Sequence, residues 1–420
     1  MADRASGCHV WDTSGRKLFD LTSGIGVTST GHSHPKVIQA IHEQANKIIF
    51  AQQNILPATE ASINLVEHLK DIVPPALSRY FFCNSGSEAV DNAIKVARSY
   101  TGKQNIIAMQ GGYHGRTYGA MSVTTSKTVY RQTFGPMPSG VVVANYPYCL
   151  HCPTRKAAGG LNFSVAPCAP GVGKSYAERK CCNSPIDDLK MLLKMQSHPS
   201  ETAAIIIEPI LGEGGFLVPP PGFLEELRTI CHENNMLLIF DEVQSGVGRT
   251  GEWWGYQSIA PNVTPDIIIF AKGIASGFPF AGLATKDDLF RNMSPGMMGG
   301  TYGGSALGCA AAVGTLEAIK EENMLSNATD RGAQFMKRLV DMSSKYPIAE
   351  VRGRGLMIAI EFDAPRGTAS KVIQEGYEEG LILITAGVRE TVRLLPPLMI
   401  TEQEVDQALD RLDRTFTRVF

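Results

Sequence analysis

Six short apolar segments follow one another through the middle of the chain without alternating with polar residues. They span residues 80–83, 105–109, 140–145, 203–208, 237–241 and 266–271. Continuous apolar runs of this length are typical of strands buried on both faces of a parallel sheet. Helical patterns lie between them, for example over residues 87–101 and 222–235. The alternation of strands and helices predicts an α/β domain with a mostly parallel sheet.

The residues after the first of these strands have the signals of a helix start. Ser85 can cap the helix with its hydroxyl while Glu88, three residues on, reaches back to the cap, which is the capping-box pattern. Apolar residues then repeat at helical spacing up to residue 101. Gly102 is suited to ending this helix in a left-handed conformation.

The C-terminal part of the chain has a different organisation. Residues 311–345 have a helical pattern, and residues 346–420 contain three apolar strand candidates before an amphipathic helix near 402–416. The strand candidates are MIAIEF, LILITA and VRLLPP. These elements predict a second, smaller α+β unit.

The composition is that of an ordinary globular enzyme. Of the 420 residues, 44% are hydrophobic and 19% are charged, with a formal net charge of -2. We expect no nucleic acid and no membrane as partner, because no Lys/Arg-rich block occurs and no apolar run reaches the ~20 residues of a membrane span. The N-terminal residues lack the apolar core of a signal peptide, and nine cysteines are an odd number for a disulfide framework. These features predict a reducing, cytoplasmic compartment.

Residues 146–185 stand apart through their cysteines and their loop-forming Gly and Pro residues. Cys149 and Cys152 have the spacing of a zinc-ligand pair, but no second pair of that spacing follows. The pattern favours a long surface excursion that carries thiols over a zinc site, and we predict no metal.

Polar residues follow five of the predicted strands at the point where each strand ends. The ends of parallel strands share one edge of a sheet, and ligands of doubly wound sheets bind beyond that edge. The residues concerned are 84–87, 111–116, 208, 241–244 and 272. The sequence therefore predicts that they form one site.

The residue types in this set match one cofactor. A Ser- and Gly-rich loop before a helix binds phosphate through backbone amides and the helix dipole. An acid such as Asp241 can keep a pyridine nitrogen protonated, and Lys272 can form a Schiff base, so the set points to pyridoxal 5'-phosphate. Each group has an ordinary alternative: the loop can be a plain helix cap, Asp241 can cap the next turn, and Lys272 can extend to solvent.

Motifs along nearly the whole chain resemble those of the class III pyridoxal-phosphate aminotransferases of fold type I. They include GCHVWDTSGRKLFD, NSGSEAVDNAIKVAR, GGYHGRT, EPILGEGGF, FDEVQSGVGRTG, PDIIIFAKGIASGFP, GGTYGGSALGCAAA and VRLLPPL. The resemblance implies a large domain, residues 51–310, with a mostly parallel seven-stranded sheet flanked by helices. It implies a smaller α+β domain made from residues 1–50 and 311–420, and a homodimer with shared active sites or a dimer of such dimers.

The same resemblance implies a role for each site residue. Lys272 resembles the lysine that forms the aldimine and moves the proton, and Asp241 resembles the acid at the pyridinium nitrogen. Val243 and Tyr113 resemble the residues on the two ring faces, with core packing and a plain loop aromatic as alternatives, and Gln244 resembles the group at the ring hydroxyl. The other cofactor-binding candidates are Gly86 and Ser87 at the phosphate, Ser85 and His114 beside them, Glu208 near the cofactor, and Thr301 at the phosphate of the neighbouring subunit.

Two arginines and one glutamate indicate the substrates. Arg116 resembles the arginine that binds the donor carboxylate in 4-aminobutyrate aminotransferases, and Arg393 resembles the one that binds the α-carboxylate of an amino acid. Glu213 resembles the partner that neutralises Arg393 when a donor lacks an α-carboxylate, with a structural salt bridge as the alternative. Ile25 resembles an apolar residue that lines the substrate pocket.

These residues predict a transaminase that moves an amino group from an ω-amine or an ω-amino acid such as 4-aminobutyrate to 2-oxoglutarate or pyruvate by a ping-pong mechanism. The alternatives are an acetylornithine or ornithine, alanine–glyoxylate or amine:pyruvate aminotransferase, a dialkylglycine-type decarboxylase, or an aminomutase. A cofactor-binding protein without catalysis is disfavoured, because Lys272 and Asp241 are both present.

Overall fold

The computed structural model describes residues 1–53, 55–56, 58–154 and 182–420, and the strands of these residues form three sheets. In chain order the strands are β1 (Ala2–Ser6), β2 (His9–Asp12), β3 (Lys17–Asp20), β4 (Arg79–Cys83), β5 (Asn105–Met109), β6 (Val141–Ala144), β7 (Thr202–Ile207), β8 (Leu237–Asp241), β9 (Ile267–Phe270), β10 (Ala281–Thr285), β11 (Ile348–Arg354), β12 (Met357–Phe362), β13 (Leu381–Ile382), β14 (Ile384–Ala386) and β15 (Thr391–Leu394). The helices are α1 (Pro35–Lys47), α2 (Glu60–Ile72), α3 (Gly86–Thr101), α4 (Tyr118–Val123), α5 (Ser184–Met195), α6 (Phe223–Glu233), α7 (Ala306–Glu321), α8 (Met324–Met342), α9 (Thr368–Glu378) and α10 (Glu402–Val419). None of these helices is long and apolar enough to cross a membrane.

The central sheet has seven strands in the order β4-β10-β9-β8-β7-β5-β6. β10 is antiparallel to both of its neighbours, and the other pairs are parallel. The carboxyl ends of β4, β9, β8, β7 and β5 therefore meet at one edge. The mostly parallel sheet is confirmed, but β10 was missed, because three of the five residues in AGLAT are Ala or Gly, which are depleted in strands.

Helix α3 begins at the carboxyl edge of β4, as its capping signals predict. The Glu88 amide donates to Ser85 Oγ (3.3 Å), and the Ser85 amide donates to Glu88 Oε2 (3.1 Å), which is a complete capping box. Gly102 follows the helix with a φ of 69°, where a residue with a Cβ would be strained. The predicted start and end of this helix are both confirmed.

The two ends of the chain share the smaller sheets. One sheet has the order β1-β2-β3-β13, with β13 parallel to β3, and the other has the order β11-β12-β15-β14. Strands β1 to β3 were missed because they are short, and β1 is mostly exposed and polar. LILITA is not one strand, as predicted, but two strands in different sheets, because the chain passes from β13 to β14 at Leu383.

The predicted helical stretch 311–345 is also divided. Helix α7 ends at Glu321 and α8 begins at Met324, with Asn323 between them at a φ of 52°. Asparagine tolerates this left-handed conformation better than most residues, so it permits a sharp break between two helical patterns.

The cysteine-bearing excursion lies mostly outside the described residues, which include its thiols at Cys149, Cys152 and Cys182. The Sγ atoms of Cys152 and Cys182 are 3.5 Å apart. Within the described ranges, no group of three or more His, Cys, Asp and Glu residues could hold a metal ion.

Candidate active site

A cavity of about 280 Å³ opens at the carboxyl edge of the central sheet. Its walls come from the residues that follow β4, β5, β7, β8 and β9, so the strand ends converge as the sequence predicts. The predicted site residues that line it are Ser85, Gly86, Ser87, Tyr113, His114, Glu208, Glu213, Asp241, Val243, Gln244 and Lys272.

One wall of the cavity is the N-terminus of helix α3, and it is shaped by two glycines. A Cβ on Gly86 would lie 3.2 Å from the methyl carbons of Val243, and one on Gly115 would lie 2.1 Å from Ser87 Oγ. Gly115 also has a φ of 133°, which other residues rarely adopt. The backbone is therefore bare at this wall, and its amides and helix dipole suit an anion such as a phosphate.

Asp241 ends β8 at the floor of the cavity and pairs with a histidine. Its Oδ2 is 2.7 Å from His114 Nδ1, and both side chains are buried. Burial opposes the positive charge of His114, but the hydrogen bond to Asp241 and the nearby carboxylates raise its pKa. Asp241 Oδ1 also accepts from the Val243 amide (3.1 Å), so the carboxylate is fixed on both sides.

Glu208 lies beside this pair and is held by backbone amides. Its two oxygens accept from the amides of Tyr113 (2.8 Å) and Gly212 (2.9 Å). Burial raises the pKa of Glu208 to about 7, and the charge of Asp241 adds to the rise. Glu208 therefore titrates near neutral pH, so its protonation can change the net charge at the floor of the cavity.

Lys272 follows β9 and lines the same cavity. Burial and, after it, the charge of Arg393 lower its pKa to about 8, and the carboxylates of Asp241 and Glu208 oppose this fall. Its backbone has a φ of 46°, an unfavourable conformation for a residue with a long side chain. A strained backbone and a partly neutral amine at a pocket wall are typical of a nucleophile.

Glu213 and Arg393 form no ion pair in this structure, although the charge of Glu213 opposes the fall that burial causes in the pKa of Arg393. Glu213 Oε1 is 2.7 Å from Lys127 Nζ and accepts from the Tyr130 hydroxyl (3.3 Å). Arg393 instead donates from Nε to the Thr385 carbonyl (3.0 Å), and the structure shows no ion pair between it and any described carboxylate. The physical reason is competition: Lys127 brings a flexible ammonium to Glu213, whereas the Arg393 guanidinium is held by its own sheet.

Four of the predicted residues do not line the cavity. Arg393 is buried behind Gln244, whose Oε1 accepts from Arg393 Nη1 (3.4 Å). Arg116, Ile25 and Thr301 are exposed, and Arg116 meets the site only through its amide, which donates to Ser87 Oγ (3.2 Å). In a single chain these three residues lie at a rim rather than on the walls.

The sequence reasoning missed several residues at the cavity. Phe278, Pro279 and Phe280 line it directly after the Gly- and Ser-rich turn that follows Lys272. Their position shortly after the strand-end lysine could have predicted that they line the site. Lys127 and Tyr130 gave no such signal, because they belong to a loop whose path depends on tertiary structure.

The residues present fit pyridoxal 5'-phosphate. The bare wall at Gly86 and Gly115 suits its phosphate, Asp241 provides a fixed carboxylate for its ring nitrogen, and Lys272 provides an amine with a lowered pKa for its aldehyde. The buried Nε2 of His114 has no hydrogen-bond partner within the described part of the chain, so this nitrogen can still form a hydrogen bond with a ligand. The fold and the site are those of a pyridoxal-phosphate-dependent transferase.

Comparison with known proteins defines the family within that class. The chain belongs to the class III aminotransferases, since the family model described as "Aminotransferase class-III" matches residues 1–416. Class III aminotransferases use pyridoxal 5'-phosphate, and their substrates are amines and oxo acids.

Three relatives show how far the likeness extends. The chain is 36% identical over 425 residues to the 4-aminobutyrate aminotransferase of Escherichia coli K12, covering 99% of this chain and 93% of that one. It is 38% identical over 411 residues to the acetylornithine aminotransferase of Methanosarcina mazei, covering 98% and 90%. A solved ω-transaminase from Thermomicrobium roseum matches with a TM-score of 0.88 and 28% identity, covering all of this chain and 93% of that one.

Proposed function

We propose that this enzyme transfers the amino group of an ω-amino acid such as 4-aminobutyrate to 2-oxoglutarate, with pyruvate as a second acceptor. The likeness to the 4-aminobutyrate aminotransferase supports the donor. The acetylornithine aminotransferase is about as similar, so sequence identity does not decide between the two donors, and the choice between them rests on the residues of the site.

The observation that carries the proposal is the state of Arg393. Its guanidinium is buried and lies 5.7 Å from the centre of the Phe216 ring, without a carboxylate partner among the described residues. A buried guanidinium lacking an anion favours one strongly, and its planar fork matches the two oxygens of a carboxylate. Since Lys127 already neutralises Glu213, Arg393 is available for the α-carboxylate of the acceptor.

The remaining residues divide the work of binding and proton transfer. When bound, pyridoxal 5'-phosphate supplies an electron sink for the substrate carbon. Asp241 would hold the proton of its ring nitrogen, and Lys272 Nζ would carry the proton that moves at the substrate carbon. Tyr113 and Val243 would pack against its ring, and Gln244 would bind its ring hydroxyl.

The remaining predicted site residues bind the phosphate of the cofactor and the carboxylate and alkyl chain of the donor. Gly86 and Ser87, with Ser85 and His114 beside them, hold the phosphate end, and Glu208 adjusts the local charge. Arg116 receives the donor carboxylate, and Ile25 covers its alkyl chain. These roles fit the positions of the residues on the cavity wall and at its rim.

We also propose a homodimer, in which Thr301 reaches the phosphate of the neighbouring subunit. Thr301 is exposed and does not line the cavity of its own chain. Next to it, Tyr302 is 66% exposed and its ring lies 5.6 Å from that of Phe50, so apolar surface surrounds the residue. The proposed division into residues 1–50 with 311–420 and residues 51–310 is supported by the pairing of β13 with β3.

The test is an absorbance titration of the purified, cofactor-loaded protein. We expect 4-aminobutyrate to bleach the visible band of the cofactor, and 2-oxoglutarate to restore it. A band that responds to N-acetylornithine or to simple amines but not to 4-aminobutyrate would contradict the donor and leave the chemistry intact. Restoration by pyruvate alone would contradict 2-oxoglutarate as the main acceptor, because pyruvate has the α-carboxylate that Arg393 is proposed to bind but lacks the second carboxylate of 2-oxoglutarate.

A further inference from the structure

Arg249 is a buried arginine in the loop that follows β8, and no step described above uses it. Its side chain is 1% exposed, and Nη1 donates to the carbonyl oxygens of Leu356 (3.3 Å) and Pro396. The Leu356 amide in turn donates to the Arg249 carbonyl (3.0 Å). One guanidinium nitrogen therefore joins the loop to two other segments of the chain.

The other two nitrogens of Arg249 show that the residue is not placed there for stability alone. Nε and Nη2 are buried without a hydrogen-bond partner in the part of the chain that the structure describes. Burying a charged group with unsatisfied donors is costly, and a buried charge is weak evidence of net stabilisation. The presence of a buried arginine at this cost therefore needs another explanation, and the residues that accept its hydrogen bonds suggest one.

Both acceptors of Arg249 belong to the sheet that carries Arg393. Pro396 lies three residues after Arg393, just beyond β15, and Leu356 lies at the turn between β11 and β12. β12 pairs with β15, with Ala359 opposite Arg393. Arg249 therefore contacts this sheet at the end of one strand and at the turn before the strand that pairs with it.

The loop that bears Arg249 also carries the cofactor-facing residues Asp241, Val243 and Gln244. Gln244 meets Arg393 directly, with 3.4 Å between Oε1 and Nη1. The loop and the sheet are thus joined by side-chain hydrogen bonds in two separate places, one at Gln244 beside the cavity and one at Arg249. Two contacts fix the orientation of one element against another, whereas a single contact leaves it able to pivot.

We propose that Arg249 is a positioning residue, which sets the strand of Arg393 against the loop of Asp241 and Gln244 and so determines how tightly the acceptor carboxylate binds. The inference rests on the proposed function of Arg393. It predicts a defect confined to the half-reaction in which an α-carboxylate is bound, because 4-aminobutyrate has none.

The test compares the two half-reactions of the cofactor-loaded Arg249→Lys variant by single-turnover absorbance. Lysine keeps the charge, but its side chain is one bond shorter than that of arginine, so its nitrogen falls short of the position from which Nη1 donates to both carbonyls. We expect the half-saturating concentration of 2-oxoglutarate to rise about tenfold, since small misplacements of a binding group are expensive. The half-saturating concentration of 4-aminobutyrate should change by less than about twofold, because its contacts are untouched.

Asn327→Ala is the matched control, because it weakens the same segment without touching Pro396. Asn327 Nδ2 donates to the carbonyls of Leu398 (2.7 Å) and Ile400 (2.9 Å). If general support of the segment were all that mattered, this variant would show the same split between half-reactions. We expect instead a lower unfolding temperature and no split.

Arg393→Lys in the same assay separates the inference from the function on which it rests. We expect Arg393→Lys to weaken the binding of 2-oxoglutarate more than that of 4-aminobutyrate. If it does, but Arg249→Lys weakens the binding of both substrates equally or of neither, the positioning role is overturned. No split in Arg393→Lys overturns the proposed function itself. If Arg249→Lys does not fold, Arg249→Gln serves in its place, because it keeps a donor and buries no charge, and the same split is expected.

Discussion

The floor of the cavity and its rim differ in how completely one chain builds them. On the floor, Asp241 and Glu208 are buried and held by hydrogen bonds to His114, Tyr113 and Gly212. At the rim, Arg116 and Thr301 are exposed and make few contacts with the cavity. The groups proposed for the chemistry thus lie in the core of the fold, whereas those proposed for selectivity lie on its surface.

The largest effect should come from the floor, at Lys272. We expect Lys272→Ala to abolish turnover, since no other described amine lines the cavity. The unfolding temperature should not fall, because the change removes an amine whose pKa burial already lowers. Steady-state rates and thermal unfolding check both points, and appreciable turnover without added amines would place the nucleophile elsewhere.

Asp241→Asn should be the next most damaging change. Losing the charge at the ring nitrogen should lower kcat by a factor on the order of 10²–10⁴, the range for charge stabilisation and proton transfer. Glu242→Gln is the control: this neighbouring buried acid accepts from Ser245 and the Gly255 amide, away from the cavity. Comparable kcat losses in the two variants would show that a buried charge, rather than its place, is what matters.

At the boundary between floor and rim, Glu213 should be coupled to Lys127 more strongly than to Arg393. A double-mutant cycle on unfolding free energy, with Glu213→Gln and Lys127→Met, should give about 1–3 kcal/mol, as expected for a contacting pair with one buried member. The cycle with Arg393→Met should give less. A larger coupling to Arg393 would restore the pair that the sequence predicts.

The smallest effect should be at the rim. Thr301→Ala should weaken cofactor binding by at most about tenfold, the value of one hydrogen bond to a charged group. Thr301→Ser retains the hydroxyl and should bind the cofactor normally, as measured by fluorescence titration of the cofactor-free protein. Equal affinity in all three proteins would remove Thr301 from the phosphate site.

Much of the fold could be predicted from the sequence because local and global signals agree there. The buried strands β5, β7, β8 and β9 are largely apolar runs, and each has a polar site residue at its carboxyl end or within five residues after it. The capping box of α3 is likewise encoded within four residues. Such features depend on neighbours in the chain, which a sequence displays.

The rest depends on neighbours in space. β10 is recognisable only beside β4 and β9, and the division between β13 and β14 only from the two sheets that they join. The partner of Glu213 was mispredicted for the same reason, since Lys127 lies far from it in the chain. Both Lys127 and Arg393 are plausible partners by charge, and only the path of the loop decides between them.

The lowered pKa of Lys272 also bears on how a newly folded chain acquires its cofactor. Only a neutral amine attacks an aldehyde, and a pKa of about 8 in place of 10.5 raises the neutral fraction at pH 7 roughly 300-fold. Maturation of the enzyme can therefore proceed near neutrality without a separate base. Below about pH 7 each further unit of acidity should lower the neutral fraction, and with it the rate of that maturation, about tenfold.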